Sequence, residues 1–555
     1  MSNITAEIYN VTKGKAMDYR YELMYIDLCK EANRIPWAEL TVLDGDASKG
    51  KFEVSDEGFF DPGTEIRISM REDDAPMAKL FQGIVVRQCA KAGKIGSYLT
   101  IELADKAFAL TTERKSAVYR KQDDSAVIRK LIKENKVTVG KVFSTGFKHT
   151  ELVQYWSTDW DFILTRAEAN GLLVLVDDGK IDVSPPNASK APKAKFEYGI
   201  TEIYDLEIEA DARSQFGKVV AHGYDIKTQK LTPPQPGAEA KLAPGRLKGA
   251  AIAGKVGSPE CTLVSATPGL PAEFKAWAKG KMVRSRLALV RGRLRTEPQP
   301  KLKPGDVIDL KGVSTVFNGK SLVTGVRQQI SKESWNTEIQ FGLGAQPLVE
   351  RAPVSLPASA GLLPAVQGLQ VGIVEAFAAD PGKQFRVKVR LPGLHQKDGI
   401  VWARLALMDA GKERGYFFRP EKGDEVVVGF FNDDPRQAVI LGSMYSSKNP
   451  PFVKPEKENN QKGFISRGKI GVMFDDKQQQ LNLSTDLKKL DQLIVIDQKD
   501  KSIKLVDNIN KNVVQLDKKG VSITAGKDFS LKVKGNIKID AKGKIQIKGA
   551  KTDII

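Results

Sequence analysis

The chain has 555 residues, 41% hydrophobic and 28% charged, with Lys+Arg 86 against Asp+Glu 68 and a net charge of +18. That length exceeds what one core serves and points to about three or four domains. The composition is that of a soluble globular protein. Three widely spaced cysteines, Cys29, Cys89 and Cys261, exclude a disulfide framework and a cysteine metal site.

Taken over the whole chain, the basic residues are dispersed. This suits a β-rich protein whose edge lysines block aggregation better than a nucleic-acid or membrane surface. Residues 1–17 carry no apolar signal-peptide core, and no run of about 18 apolar residues follows. Synthesis in the cytoplasm is expected, with any export by another route.

Residues 20–110 read as short strands with turns. Asp61-Pro62-Gly63 opens an alternating strand over 65–70, and strands follow at 80–86 and 98–103. A helix is predicted near 124–135, with Val127, Ile128, Leu131 and Ile132 on one face and Asp124 or Ser125 as N-cap. A second is predicted over about 159–170, where Thr158 and Asp161 form a capping box and Gly171 terminates it. Leu172 to Val176 reads as a buried strand, turned at Asp177-Asp178-Gly179. Residues 227–248, rich in Pro, Gly and charge, read as a long loop or a lid, and 272–290 as helix.

Lys303-Pro304-Gly305-Asp306-Val307 then echoes Asp61-Pro62-Gly63-Thr64-Glu65. Phe317-Asn318-Gly319 echoes Phe81-Gln82-Gly83, and Trp335 to Ile339 echoes Tyr98 to Ile101. This internal repeat predicts two related β-barrels flanking an α+β middle, so that 1–351 forms one hub. A Pro/Ala linker follows at 352–367. Five short strands within 368–448 fit a small closed barrel such as an OB-fold. Residues 449–463 read as a second, charged linker, and 464–555 as the last domain.

From Val521 that last domain falls into octads. The apolar triplets are Val521, Ile523, Ala525; Phe529, Leu531, Val533; Ile537, Ile539, Ala541; and Ile545, Ile547, Gly549, separated by turn formers at Gly526, Gly535 and Gly543. Alternation over five residues is a strand buried on one face. Eight residues per unit cannot enclose a core, and the run holds too few units for a single-chain solenoid. Three copies, each supplying one wall of a triangular prism, bury the triplets on a shared axis. The plainer alternative is a meander of hairpins on a globular domain. Before Val521, apolar pairs at Ile494/Ile496, Ile503/Leu505 and Val514/Leu516 are irregularly spaced. The overall class is therefore mainly β: two hub barrels with an α+β middle, an OB barrel, and a trimeric β-helix needle.

The order of hub barrels, OB barrel and octads resembles the VgrG-type spike proteins of contractile injection systems, related to phage baseplate hubs and cell-puncturing proteins. The OB stretch carries the resemblance at Val371-Gly372-Ile373-Val374, Phe385 to Val389, Gly423 to Phe430, and Val439 to Tyr445. The hub carries it at Asp61-Pro62-Gly63, Leu80 to Val85, Ser157 to Phe162, and His222 to Asp225. The resemblance implies a homotrimer that caps an inner tube and baseplate, delivers effector cargo, and contacts a target membrane transiently. It also implies a PAAR-type protein on the tip. Gly549 and Ala550 would narrow the prism there, Lys551, Thr552 and Asp553 follow, and Ile554 and Ile555 of three copies would gather into an apolar docking patch. Some relatives carry a lysozyme domain after the OB barrel, which the interval 449–463 is too short to hold. His149, His222 and His395 all lie outside the needle, where some phage spikes bind iron through histidines.

No catalytic, metal or cofactor site is expected. Gly249-x-x-x-x-Gly254-Lys255 has most of a P-loop, but Val256 replaces the magnesium-binding hydroxyl and Pro259 forbids the required helix. Asp433 and Asp434 read as a solvated turn pair, and no Gly-x-Ser-x-Gly is present. Phe385, Trp402, Phe417, Phe418, Phe430 and Phe431 of the OB barrel read as core packing, so no nucleic-acid partner is expected. Two other functions set against the spike are a β-helix enzyme acting on polysaccharide, for which the octads offer only Asp528 and Asp540, and an OB-fold nucleic-acid binder.

Overall fold

The computed structural model describes residues 4–94 and 96–553, and the chain divides into two compact units, 1–357 and 358–555. The first unit is organised around a 13-stranded sheet. Its two halves repeat one device. Gly63 and Gly305 both adopt left-handed backbone, at φ 93° and 91°. Each donates its N–H to a valine carbonyl, Val85 and Val323 respectively, at 2.8 Å. The same valines donate back to Thr64 and Asp306 at 2.9 Å. The strands Glu65–Glu72 and Val307–Lys311 follow, and each pairs with a long strand, Ala78–Gly93 or Gly319–Ser331, which is bulged just after the valine.

The repeat is therefore real, but two of its echoes need realignment. Ile66 pairs with Gly83 where Ile308 pairs with Ser321, so Gly83 corresponds to Ser321 and the Phe-x-Gly echo is two residues out of step. Ile101 corresponds to Ile339, which leaves the two threonines of the third echo one residue apart. The halves are joined edge to edge by Gly319–Ser331 pairing with Leu23–Glu31. Each half has its own apolar core: Ile26, Leu40, Ile68 and Phe81 in the first, Phe196, Leu294, Ile308 and Ile339 in the second.

The α+β middle has a third core, where the helices Asp124–Glu134 and Asp159–Ala169 pack on the strands Leu173–Asp177 and Lys180–Ser184. Thr158 accepts from the Asp161 N–H at 3.0 Å, and Gly171 takes φ 69°, as the cap pattern predicts. The first helix is capped by Asp123, one residue earlier than expected. Asp178 and Gly179 both take positive φ in a two-residue hairpin loop, the turn expected there.

Residues 227–248 are no lid. Leu242 is buried, Glu239 pairs with the buried Arg286, and Gly237 and Gly245 bond to Val219 and Asn318. A Cβ on Gly245 would lie 1.8 Å from the Val316 carbonyl oxygen, so the stretch is a fitted strap.

The second unit holds a closed five-stranded barrel: Gln370–Ala376, Val387–Arg390, Ile400–Leu405, Glu425–Phe430 and Ala438–Met444. Its core is aliphatic: Val374, Val387, Val389, Ala403, Val426, Val428 and Ile440. Residues 358–366 are held against the barrel, with Ser359 and Val366 bonding to the Asp433 carbonyl. A seven-stranded antiparallel meander follows from Gln461 to Thr524. Its first strand begins inside the stretch that reads as linker, because Lys462 and Gly463 hide the alternation.

Candidate functional site

The meander has one face made almost wholly of apolar cross-strand rows. Phe464, Val472, Leu483, Ile494, Leu505, Val514 and Ile523 stand opposite one another in strand order. A second row runs Phe474, Leu481, Ile496, Ile503, Leu516 and Val521. Ladder partners on one face meet at this spacing whatever their distance in sequence. That explains the irregular intervals before Val521. An antiparallel meander visits each row forwards and then backwards, so successive apolar pairs alternate between near and far.

Little of the chain covers this face. Ile494, Ile503, Leu505 and Leu516 are 38–46% exposed, and an open groove of about 940 Å³ runs along the first row, lined by Leu483, Ile494, Leu505 and Val514. The OB barrel's Phe418 closes on it, with its ring edge-on to Phe464 at 5.8 Å, and Phe529 of the octads also lines the groove.

Past Thr524 no strand pairing is found among the described residues. Gly526 donates to the Asn512 side chain, and from Lys527 to Asp553 no backbone hydrogen bond is found among the described residues. The octad apolar residues are exposed: Val521, Ile523, Phe529, Leu531, Val533, Ile537, Ile539, Ile545 and Ile547, from 49% at Val533 to 72% at Ile547. Gly549 through Asp553 are likewise exposed, with Lys551 and Asp553 ion-paired at 3.0 Å. Ile554 and Ile555, named above for tip docking, lie outside the described residues.

The OB aromatics correct the sequence reading. Phe385, Phe417, Phe418 and Phe431 are exposed, and Trp402 and Phe430 only half-buried. The barrel core is filled by valine, leucine, alanine and isoleucine, and Phe430 packs against it from its half-buried position. Trp402 stands outward opposite Lys388, whose ammonium lies 5.2 Å from the ring centre, and Arg404 covers Phe431 at 5.8 Å.

Asp434 is another correction. It is buried and held by Arg436 at 2.6 Å, whose hydrogen bond lowers its pKa. The P-loop-like stretch forms the helix Gly249–Lys255, with Gly249 packed against Gln215 and Arg286, which leaves no phosphate cradle. Among the described residues no group of three or more His, Cys, Asp or Glu could hold a metal, and no helix is long and apolar enough to cross a membrane.

Two charge clusters escaped the sequence reading. Asp124, fully buried at the start of its helix, accepts from Arg166 at 2.6 Å and lies 3.3 Å from His149, while Arg166 also reaches Glu273 at 3.0 Å. Burial opposes the ionised form of Asp124, yet His149 and Arg166 pull its pKa far below the ordinary carboxylate range. The second cluster sits on the hairpin turn, where Lys30 meets Asp177 at 2.5 Å and Asp178 at 3.0 Å. Lys303 also meets Asp177, at 2.7 Å, and Lys79 meets Asp178 at 2.8 Å. The turn thereby ties the α+β middle to both halves of the sheet. Such clusters leave little sequence signal, because the partners described lie from 25 residues apart, at Asp124 and His149, to 148 apart, at Lys30 and Asp178.

Residues 2–332 match the family model described as the Alg8 N-terminal domain. Residues 370–445 match the type VI secretion system/phage-baseplate injector OB domain. The chain is 24% identical over 430 residues to the type VI secretion system spike protein VgrG1b of Pseudomonas aeruginosa, a match covering 70% of this chain and 55% of that protein. It is 36% identical over 87 residues to the actin cross-linking toxin VgrG1 of Vibrio cholerae, 15% of this chain and 8% of that one. It thus spans about half the length of the spike proteins it matches most broadly. A solved Francisella PdpA–VgrG complex chain aligns over 94% of this chain and 88% of its own at 9% identity, with a TM-score of 0.38. The resemblance to VgrG-type spike proteins drawn from the hub and OB motifs is borne out by the curated relatives and the OB family.

Proposed function

We propose that this chain, which belongs to the Alg8 N-terminal domain family, is the structural spike and hub of a contractile injection system, assembled as a homotrimer through its C-terminal needle. One observation carries the reading. The octads alternate apolar and polar side chains like strands, yet over 527–553 they pair with nothing in their own chain and leave their apolar side chains 49–72% exposed. Unpaired backbone and uncovered apolar rows are both costly. Three copies around a threefold axis relieve both at once, since each strand gains neighbours and each triplet gains a core. The exposed face of the meander extends the same wall.

Closed this way, the needle has no lateral edge, and bending it breaks many hydrogen bonds together. That suits a rod driven through a target envelope when a sheath supplied by other proteins contracts. The hub would sit on the inner tube and baseplate with effector cargo carried alongside, and Gly549–Asp553 would form the end on which a PAAR-type tip protein docks. No catalytic step is assigned to any residue.

Light scattering on the full chain tests the reading. A trimer is expected, and a monodisperse monomer overturns it. A chain ending at Lys548 should remain trimeric and lose affinity for a PAAR-type protein; full retention would move the docking end elsewhere.

A further inference from the structure

The outward positions of the needle carry a charge pattern that piercing does not require. Over 461–524 the chain has twelve basic and eight acidic residues, a net +4 in 64 positions. Over 525–553 it has eight lysines and three aspartates, a net +5 in 29. The charge per residue rises nearly threefold where the octads begin.

The octad phase fixes where these lysines stand. Lys532 and Lys548 alternate with the apolar triplets, and Lys527, Lys534, Lys542 and Lys544 occupy the turns, so no inward position holds a lysine. All six are exposed, and among the described residues none has an acidic partner. Lys538 and Lys551 alone are paired, with Asp540 and Asp553.

Resting on the trimer reading, we propose that the octad lysines form a cationic sleeve that binds a phosphate-bearing anionic bilayer surface, and so set which envelope the needle engages. Solubility and edge protection are served by either sign of charge. Mixing the signs, as the meander does, would relieve the repulsion that a threefold gathering of lysines adds. An excess of one sign is useful against a surface of the opposite sign, and lysines near an anionic bilayer each strengthen binding. A bilayer fits better than nucleic acid. Phe529 is the only aromatic residue of the octads and belongs to the apolar set, so no outward ring is present for a base to stack on.

The test is co-sedimentation of the full chain with vesicles of phosphatidylcholine alone, and of phosphatidylcholine with about a third phosphatidylglycerol. Light scattering is run on every sample. Wild type should bind the anionic vesicles at least about tenfold more tightly, and lose that preference as salt is raised from about 0.1 to 0.5 M. The variant Lys532→Gln/Lys542→Gln/Lys544→Gln/Lys548→Gln should stay trimeric and lose at least about tenfold in affinity for anionic vesicles. The control Lys499→Gln/Lys501→Gln/Lys511→Gln/Lys518→Gln, which removes equal charge from the meander, should bind within about threefold of wild type. Equal binding to both vesicle types, or an octad variant that binds like wild type, overturns the proposal while leaving the trimer intact. A monomer in the scattering measurement fails the trimer reading instead. Tighter binding to a DNA fragment than to anionic vesicles assigns the sleeve to nucleic acid and overturns it as well.

Discussion

The hub and the needle solve the same problem, apolar rows on β-strands, in opposite ways. In the hub each row meets another row of the same chain, and Ile26, Leu40, Ile68, Phe81 and Ile339 are fully buried. In the octads the rows are as regular, but among the described residues no second row covers them, and Ile539 is 69% exposed. The difference is not one of hydrophobicity. The hub strands run between helices, straps and bulges that fold the sheet back on itself, whereas eight-residue units joined by tight turns have no length left to return. A segment that is fully patterned yet 49–72% exposed at its apolar positions is what the proposed trimer would cover.

The largest effect expected from this contrast is at Ile539. Ile539→Asp places a carboxylate at a position where copies should meet, and burying unpaired charge costs several kcal/mol per site, multiplied across the copies. The full chain should lose its trimer in light scattering while the hub's calorimetric transition stays within a few degrees. Ser530→Asp, on the outward side of the neighbouring octad, should change neither. Equal behaviour of the two variants would mean the faces are reversed.

Next in size is the hub's own buried charge. Asp124→Ala leaves Arg166 and His149 short of a partner inside three packed elements and should cost about 3–5 kcal/mol. The hub transition should fall in denaturant melts and the oligomeric state should not change. A loss of the trimer would show that hub and needle are not energetically separate.

A smaller effect is expected from pH. Burial alone would raise the pKa of Asp177, but Lys30 and Lys303 more than offset it and hold the carboxyl at about 2, below the 3.8 of a free aspartate. A depressed folded-state pKa contributes stability above the unfolded value and loses it as pH falls through the folded one. The contribution is therefore present above about pH 4 and fades between about 4 and 2. With the Asp177 side chain 36% exposed, solvent screening reduces it to on the order of 1 kcal/mol. Asp177→Asn should flatten the hub's acid limb by that amount and leave the needle unaffected; an unchanged limb would show that the Lys30–Asp177–Lys303 pairing adds no stability.

How much of this was legible in the sequence follows the same divide. Elements set by local chemistry could be read directly: the Thr158 cap, the Gly171 terminator, the Asp178-Gly179 turn, the five OB strands and the octad phase. What depended on distant partners could not. The repeat was visible at Asp61-Pro62-Gly63 and Lys303-Pro304-Gly305, where a left-handed glycine fixes the backbone, and slipped by two residues in the hairpin beyond, where only loosely matching Phe and Gly guided the alignment. The ion clusters at Asp124 and Asp177 depend on residues far apart in the chain. The OB aromatics misled because alternation says that a ring lies on one face without saying which face the barrel has room to fill.

The smallest expected effect tests the contact by which the OB barrel covers part of the meander's apolar face. Phe418 leaves the OB barrel and meets Phe464 edge-on at 5.8 Å, at an interplanar angle of 69°. Both rings remain about half exposed, at 55% and 50%. Edge-to-face pairs contribute about 0.5–1.5 kcal/mol beyond their burial. In a single chain the exposure should hold the Phe418–Phe464 coupling near the lower end of that range. In the trimer, further copies would close over the same face, remove the remaining water and raise the coupling toward the upper end. A double-mutant cycle of Phe418→Ala and Phe464→Ala separates the pair from the cost of each truncation. Run on the full chain and on the Ile539→Asp background, it should give about 1 kcal/mol or more in the first and about half that in the second. Equal coupling in both would mean that nothing further closes over this face on assembly, and the needle's uncovered wall would have to begin later than Phe464.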